Sequence, residues 1–258
     1  MLDTQYEEIS DVFRYHWNNC AVEFDNHAAH VLHGEEQRGA WHALLSRLAG
    51  GSGRDVLDVG CGTGFLSLLL SELGCNVTGI DLSPKMVELA KEKAAARGLR
   101  GTFRVENAMS LSAADESFDM VIARNVIWTL PDPKRGVAEW MRALRPGGRL
   151  ALIECKFSDS TEAARDYRRT ARRIIDSIID AGIGLAARCT GRGLWRLYQR
   201  KYARYEALLP FSGGLPPDEL ASFLREQGLQ DVTVEPLDHR ALWREPPKFP
   251  RYLVTGRR

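Results

Sequence analysis

The chain has 258 residues, 44% of them hydrophobic, enough to bury one full α/β core without a second domain. Its 35 basic and 34 acidic residues nearly cancel, which argues against a globally cationic nucleic-acid binder. Its five cysteines (Cys20, Cys61, Cys75, Cys155, Cys189) form no C-x-x-C pair, which argues against a zinc knuckle or a disulfide framework.

In chain order, residues 4–19 set Tyr6, Phe13, Tyr15 and Trp17 at the spacings of a short amphipathic helix. The N-terminus lacks the basic-then-apolar pattern of a secretory signal, and no apolar run nears the roughly 18 residues that span a bilayer. A cytoplasmic chain with no membrane partner is expected. His27, His30 and His33 follow at steps of three; side chains so spaced fan around a helix instead of converging, so no metal site is predicted. Residues 35–49 put Trp41, Leu44, Leu45 and Leu48 on one stripe of a helix that GGSG at 50–53 ends.

From Arg54 the pattern alternates between short apolar, β-branched runs (RDVLDVG, NVTGID, TFRVEN, FDMVIAR) and helical runs of 10 to 16 residues, which predicts a parallel sheet wound with helices. Ser83-Pro84 reads as an N-cap with proline at the first helical position, and Gly98 as the matching stop. RPGGRLALIEC at 145–155 reads as a turn and a further strand. Over 156–210 the rhythm breaks into two arginine-rich helical patterns carrying 12 Lys/Arg against 6 Asp/Glu. Beyond them come a helix, a strand at VTVEPL and a terminal strand at PRYLVTGRR. The expected division is a helical lid over 1–50, a core over 51–155, a helical cap insertion over 156–210 and the remainder of the core sheet over 211–258.

Gly60, Gly62 and Gly64 follow directly on an apolar strand and open a helix, the context of a nucleotide-binding turn. Glycine admits positive φ and removes the Cβ that would block a ligand lying on the backbone. A dinucleotide site uses G-x-G-x-x-G, whereas here the spacing is G-x-G-x-G and Phe65 stands where the third glycine would be, which disfavours NAD. Asp58-Val59-Gly60-Cys61-Gly62-Thr63-Gly64, with Asp81 ending the next strand, resembles the class I, Rossmann-like S-adenosylmethionine-dependent methyltransferases over roughly residues 54–155.

The resemblance implies a mostly parallel seven-stranded sheet with helices on both faces, S-adenosylmethionine as cofactor and S-adenosylhomocysteine as product. It implies a donor site built from Asp58, Gly60, Cys61, Gly62, Gly64, Asp81, Leu82, Met86, Asn107, Ala108, Met109 and Ala123. Asp81 would accept from both ribose hydroxyls. Asn107 stands where the family carries an acidic residue toward the adenine amine, and Leu82 and Met109 would sandwich the ring. Ala123 would lend its carbonyl to the donor's amino group.

Arg124 and Asn125, just outside the fourth strand, face the crevice in which α/β folds bind ligands and are the candidates for the acceptor; Trp128 follows as a wall. The resemblance to methyltransferases with an N-terminal lid makes His30 the candidate base. Tyr167, Trp195, Tyr198, Tyr202 and Tyr205 of the cap are candidates to line a pocket. The expected reaction is methyl transfer to a small polar or anionic metabolite, by a monomer or homodimer. Two rivals stand beside it: an RNA or protein methyltransferase, suggested by the basic cap, and a non-catalytic S-adenosylmethionine-binding protein. Against the first, ARNVIWTLPDP lacks the Asn/Asp-Pro-Pro-aromatic motif of many nucleic-acid amine methyltransferases, and no RNA-binding module is recognisable.

Overall fold

The computed structural model describes residues 2–26, 31–156, 201–207, 209–243 and 249–258. Its elements are α1 (Leu2–Phe24), α2 (Glu35–Ala49), β1 (Asp55–Val59), α3 (Phe65–Glu72), β2 (Asn76–Asp81), α4 (Pro84–Ala96), β3 (Thr102–Val105), β4 (Phe118–Arg124), α5 (Pro133–Ala143), β5 (Leu144–Cys155), α6 (Pro217–Glu226), β6 (Gln230–Pro236) and β7 (Arg251–Arg257). The expected cap lies almost wholly outside the described residues, apart from a helical stretch over 201–206.

Among the described residues, seven strands form one sheet in the order β3-β2-β1-β4-β5-β7-β6. The pairings from β3 through β5 are parallel, and β7 runs antiparallel to both β5 and β6. The expected mostly parallel, helix-flanked sheet is therefore present. Its central strands are apolar on both sides, as a sheet covered on both faces requires. Leu57, Val121, Leu150 and Leu152 meet Trp140 of α5 and Leu220 and Leu224 of α6. Val56, Ile122, Ala151 and Ile153 meet Trp41 and Leu45 of α2 and Leu69 and Leu70 of α3 on the other face. Each such fully buried aliphatic side chain contributes about 1.5–3 kcal/mol relative to exposure.

Within residues 1–50 the two helices pack differently. Trp41 and Leu45 are fully buried against the sheet, so α2 belongs to the core layers, and α1 alone lies over the carboxyl ends of the strands. Among the described residues, no helix is long and apolar enough to cross a membrane.

Helix starts are set locally. Ser83 caps α4 by accepting from the Met86 amide at 3.2 Å, with Pro84 following, and Asp132 caps α5 by accepting from the Arg135 amide at 3.0 Å, with Pro133 following. Both caps lie at the carboxyl edge of the sheet, beside the site.

Candidate functional site

Strand order reverses between β1 and β4, and this switch point opens a crevice at the carboxyl ends of the strands. A cavity of about 610 Å³ occupies it, roofed by α1 and floored by the loops that leave β1, β2, β3 and β4. The loop after β1 bends through Gly60 (φ 64°) and Gly62 (φ 54°), conformations that L side chains rarely adopt. A Cβ on Gly60 would lie 2.4 Å from Cγ2 of Val126, so the loops after β1 and β4 touch because that residue is bare.

Asp81, at the end of β2, ties this bend to the next loop. Its Oδ2 accepts from the Gly62 amide at 2.9 Å and its Oδ1 from the Ser83 amide at 2.8 Å. A carboxylate has about four acceptor positions, so each oxygen keeps one for a ligand hydroxyl. Burial pushes the Asp81 carboxyl up to about 6, against the lowering effect of the two amides. Asp58, 1% exposed at the end of β1, accepts from the Ser67 hydroxyl at 2.5 Å. Burial pushes it up to about 7, opposed by that hydroxyl and by the nearby Arg124.

The loop after β3 makes a second wall with Asn107, Ala108 and Met109, in the cavity that Leu82 and Met86 also line. Asn107 Oδ1 accepts from the Met109 amide at 2.9 Å, and α5 straps the loop from behind. Trp140 Nε1 donates to the Ala108 carbonyl at 2.9 Å and Arg135 Nε to the Met109 carbonyl at 3.1 Å. The Asn107 side chain thus shapes its own turn.

The roof is fastened at two points. Asn18 Oδ1 accepts from the Ser83 hydroxyl at 2.6 Å and from the Lys85 amide at 3.0 Å, at the start of α4. Just past the end of α1, Asp25 accepts from the Thr63 hydroxyl at 2.6 Å and pairs with Lys93. Just before Asn18, His16 lines the cavity, its ring stacked on Tyr202 at 3.7 Å and its Nε2 3.7 Å from the Cys20 sulfur. Burial lowers His16 to about 4, so it is a neutral imidazole at physiological pH.

On the β4 side the floor is charged. Arg124 stacks over Phe65 at 4.2 Å, and Arg251, at the start of β7, over Trp243 at 4.4 Å. Burial and the neighbouring Arg251 push the Arg124 guanidinium down to about 9, still a cation at neutral pH. Glu154 Oε1 accepts from the Val126 and Ile127 amides at 2.9 and 3.2 Å, and burial pushes this carboxyl up to about 8. Asn125 holds the junction at φ 59°, its amide donating to the Ile153 carbonyl at 2.9 Å.

The structure brings Asp58, Gly60, Cys61, Gly62, Asp81, Leu82, Met86, Asn107, Ala108, Met109, Arg124, Asn125 and Trp128 to one cavity. Two expected residues do not line it. Gly64 starts α3, and a Cβ there would meet Ala90 and Leu68. Ala123 sits inside the sheet between Val59 and Leu152. His27, His30, Tyr167, Trp195 and Tyr198 lie outside the described residues, and Tyr205 packs in a cluster with Tyr202, Phe13 and Trp17. His33, just before α2, is not among the lining residues. Sequence reasoning missed His16, Glu154 and Arg251. Glu154 and Arg251 carry no motif; His16 shares α1 with Phe13 and Trp17, and that aromatic spacing is the one signal that could have found it. Among the described residues, no group of three or more His, Cys, Asp and Glu is placed to hold a metal ion.

Residues 57–152 match the family described as methyltransferase domain. The chain is similar to methyltransferase GfsG of Streptomyces halstedii, 39% identical over 114 residues that cover 43% of this chain and 41% of the relative. It therefore spans about two-fifths of the length of that curated relative. Its fold is similar to a crystal structure of the [4+2]-cyclase SpnF, with a TM-score of 0.58 and 21% identity over 85% of this chain and 80% of the other. It is also similar to phosphoethanolamine N-methyltransferase 2 of Haemonchus contortus in complex with S-adenosyl-L-methionine, with a TM-score of 0.57 and 18% identity over 85% of this chain and 52% of the other.

Proposed function

We propose, from the match of residues 57–152 to the methyltransferase domain family and from the cavity under α1, that the protein binds S-adenosylmethionine there and methylates a small polar or anionic metabolite. The observation that carries this reading is Asp81: a carboxylate facing the cavity, anchored by two backbone amides, with one acceptor position left on each oxygen. A vicinal diol fits that pattern. The bare bend at Gly60 and Gly62 and the apolar walls Leu82, Met86 and Met109 suit the rest of a nucleoside, with Asn107 at the ring edge.

Bound there, the cofactor would supply an electrophilic methyl on a cationic sulfur. The chain's own residues then have to orient an acceptor, keep water out and take up a proton where the acceptor carries one. Fastened by Asn18 and Asp25, α1 covers the cavity with Phe13, Trp17 and Phe24 and makes it drier than bulk water, which favours a reaction that disperses charge. Arg124, Asn125 and Trp128 border the acceptor side. His16, a neutral imidazole in the same cavity, is the described histidine available to accept a proton, although burial makes it a weaker base than a free imidazole.

The test is incubation with methyl-labelled S-adenosylmethionine and fractionated cell extract. Label in small molecules supports the reading. Label in RNA or protein overturns the acceptor class. Binding of S-adenosylhomocysteine with no transfer to any fraction overturns catalysis, since one fold hosts unrelated chemistries.

A further inference from the structure

We propose that Arg124 and Arg251 together form a subsite for a carboxylate or phosphate carried by the methyl acceptor, an inference that rests on the methyltransferase reading above. The two residues are far apart in sequence, at the end of β4 and the start of β7. Topology makes them neighbours, because the reversed direction of β7 puts its first residue at the same sheet edge as the last residues of β4 and β5; Arg251 is paired with Cys155.

The sheet order divides the cavity. The β3-β2-β1 half carries Asn107, Asp81 and the glycine bend, which the donor reading uses. The β4-β5-β7 half carries Arg124 and Arg251, leaving their side for the acceptor.

Both guanidinium groups lie on one aromatic base: Arg124 over Phe65 at 4.2 Å, Arg251 over Trp243 at 4.4 Å, with Trp41 packed edge-on against Phe65 at 5.1 Å and Trp243 at 5.4 Å. Stacking fixes the planes of two forks suited to bidentate oxyanions. Among the described residues, the carboxyls that act on the pair are Asp58 on Arg124 and Glu154 on Arg251. Glu154 spends one oxygen on two backbone amides, Asp58 is hydrogen-bonded to Ser67, and burial shifts both carboxyls toward their neutral forms. Among the described residues, Arg251 Nε is buried without a hydrogen-bond partner. A guanidinium that lines the cavity and keeps a buried N–H without a partner calls for an external anion. Trp128 and Leu130, which follow β4, also line the cavity, so the acceptor has an apolar body as well as a charged end.

Benzoate and benzamide are the probes, since they share a planar body and differ in charge. On protein loaded with S-adenosylhomocysteine, calorimetry at pH 7 is expected to show benzoate binding about tenfold tighter than benzamide, the scale of one charge-assisted hydrogen-bonded contact. Arg251→Met should erase that preference while leaving S-adenosylhomocysteine affinity unchanged. In the unmodified protein, inorganic phosphate should displace benzoate, an arm that needs no variant. Equal affinity for the two probes, no benzoate binding, or failure of phosphate to compete overturns the proposal. Loss of S-adenosylhomocysteine affinity in Arg251→Met also overturns it, because the pair would then serve the donor's own carboxylate. If the unmodified protein fails to bind S-adenosylhomocysteine, the methyltransferase reading falls, and the benzoate preference measured on unloaded protein still decides whether the anion subsite exists.

Discussion

Gly62 donates its amide to Asp81 Oδ2 at 2.9 Å, so the bend after β1 and the carboxylate ending β2 form one hydrogen-bonded unit. Any substitution at Asp81 therefore acts on the ligand contact and on the shape of the bend together.

Asp81→Ala should weaken S-adenosylhomocysteine binding by roughly 30-fold or more in calorimetry, the equivalent of about 2 kcal/mol for a lost charge-assisted acceptor. The unmodified protein should also show a pH signature. Its carboxyl sits at about 6 without ligand, and hydroxyl donors favour the ionised form. Affinity should be flat above that value and fall as the pH drops to 5. Equal affinity at pH 5 and 7.5 would count against the ribose assignment.

Gly60→Ala places a methyl 2.4 Å from Val126 Cγ2 at a backbone φ of 64°. A destabilisation of about 2–3 kcal/mol is expected in urea unfolding, combining overpacking with a left-handed conformation. Adding Val126→Ala should recover the packing part and leave about 1 kcal/mol from the backbone. Full recovery would show that the positive φ carries no cost here.

His16→Phe keeps a ring to stack on Tyr202 and removes both nitrogens. If His16 takes the acceptor's proton, kcat should fall by about 100-fold or more while S-adenosylhomocysteine affinity stays within a factor of about two. Since burial holds the imidazole near 4, it stays in its basic form from pH 7 down to 5.5, and no loss of rate in that range should trace to it. A rate unchanged by the substitution would remove His16 from the chemistry.

Glu154→Gln tests the buried acid. Its folded pKa, about 8, stands above the ordinary carboxyl value of 4.5. Between those values the folded chain holds a proton that the unfolded chain releases, so this group lowers stability as pH rises from about 4.5 to 8. Glutamine keeps an oxygen for the Val126 and Ile127 amides and cannot ionise. The variant should gain at least about 3 °C in Tm over the unmodified protein at pH 8 relative to pH 5, as about 1 kcal/mol gives in a chain of this size. A constant difference across that range would refute the shifted titration.

What was legible from sequence was what is local. The glycine bend and Asp81 are separated by one strand and one helix, so their spacing reports a βαβ unit directly, and Ser83-Pro84 announces its own cap. Arg251, Trp243 and Glu154 could not be read that way. Arg251 neighbours Arg124 only because β7 reverses direction beside β5, a relation that no short window contains. Ala123 pairs with Val59 and Leu152 inside the sheet, while the neighbouring Arg124 and Asn125 line the cavity, a distinction that the motif does not carry. The stripe of α2 is as apolar as a lid helix would need, and only its burial against β1 and β4 reveals a core layer.

Inserting β7 between β5 and β6 also has a consequence for how the chain is made. As it leaves the ribosome, β5 emerges with one row of amides and carbonyls unmatched, and the match arrives only with residues 251–257. Until then Leu150, Leu152 and Ile153 belong to an open edge that another nascent chain can extend. Loss of this single strand would open both β5 and β6 at once, so truncation there should produce insoluble material before it produces a folded chain with an altered site.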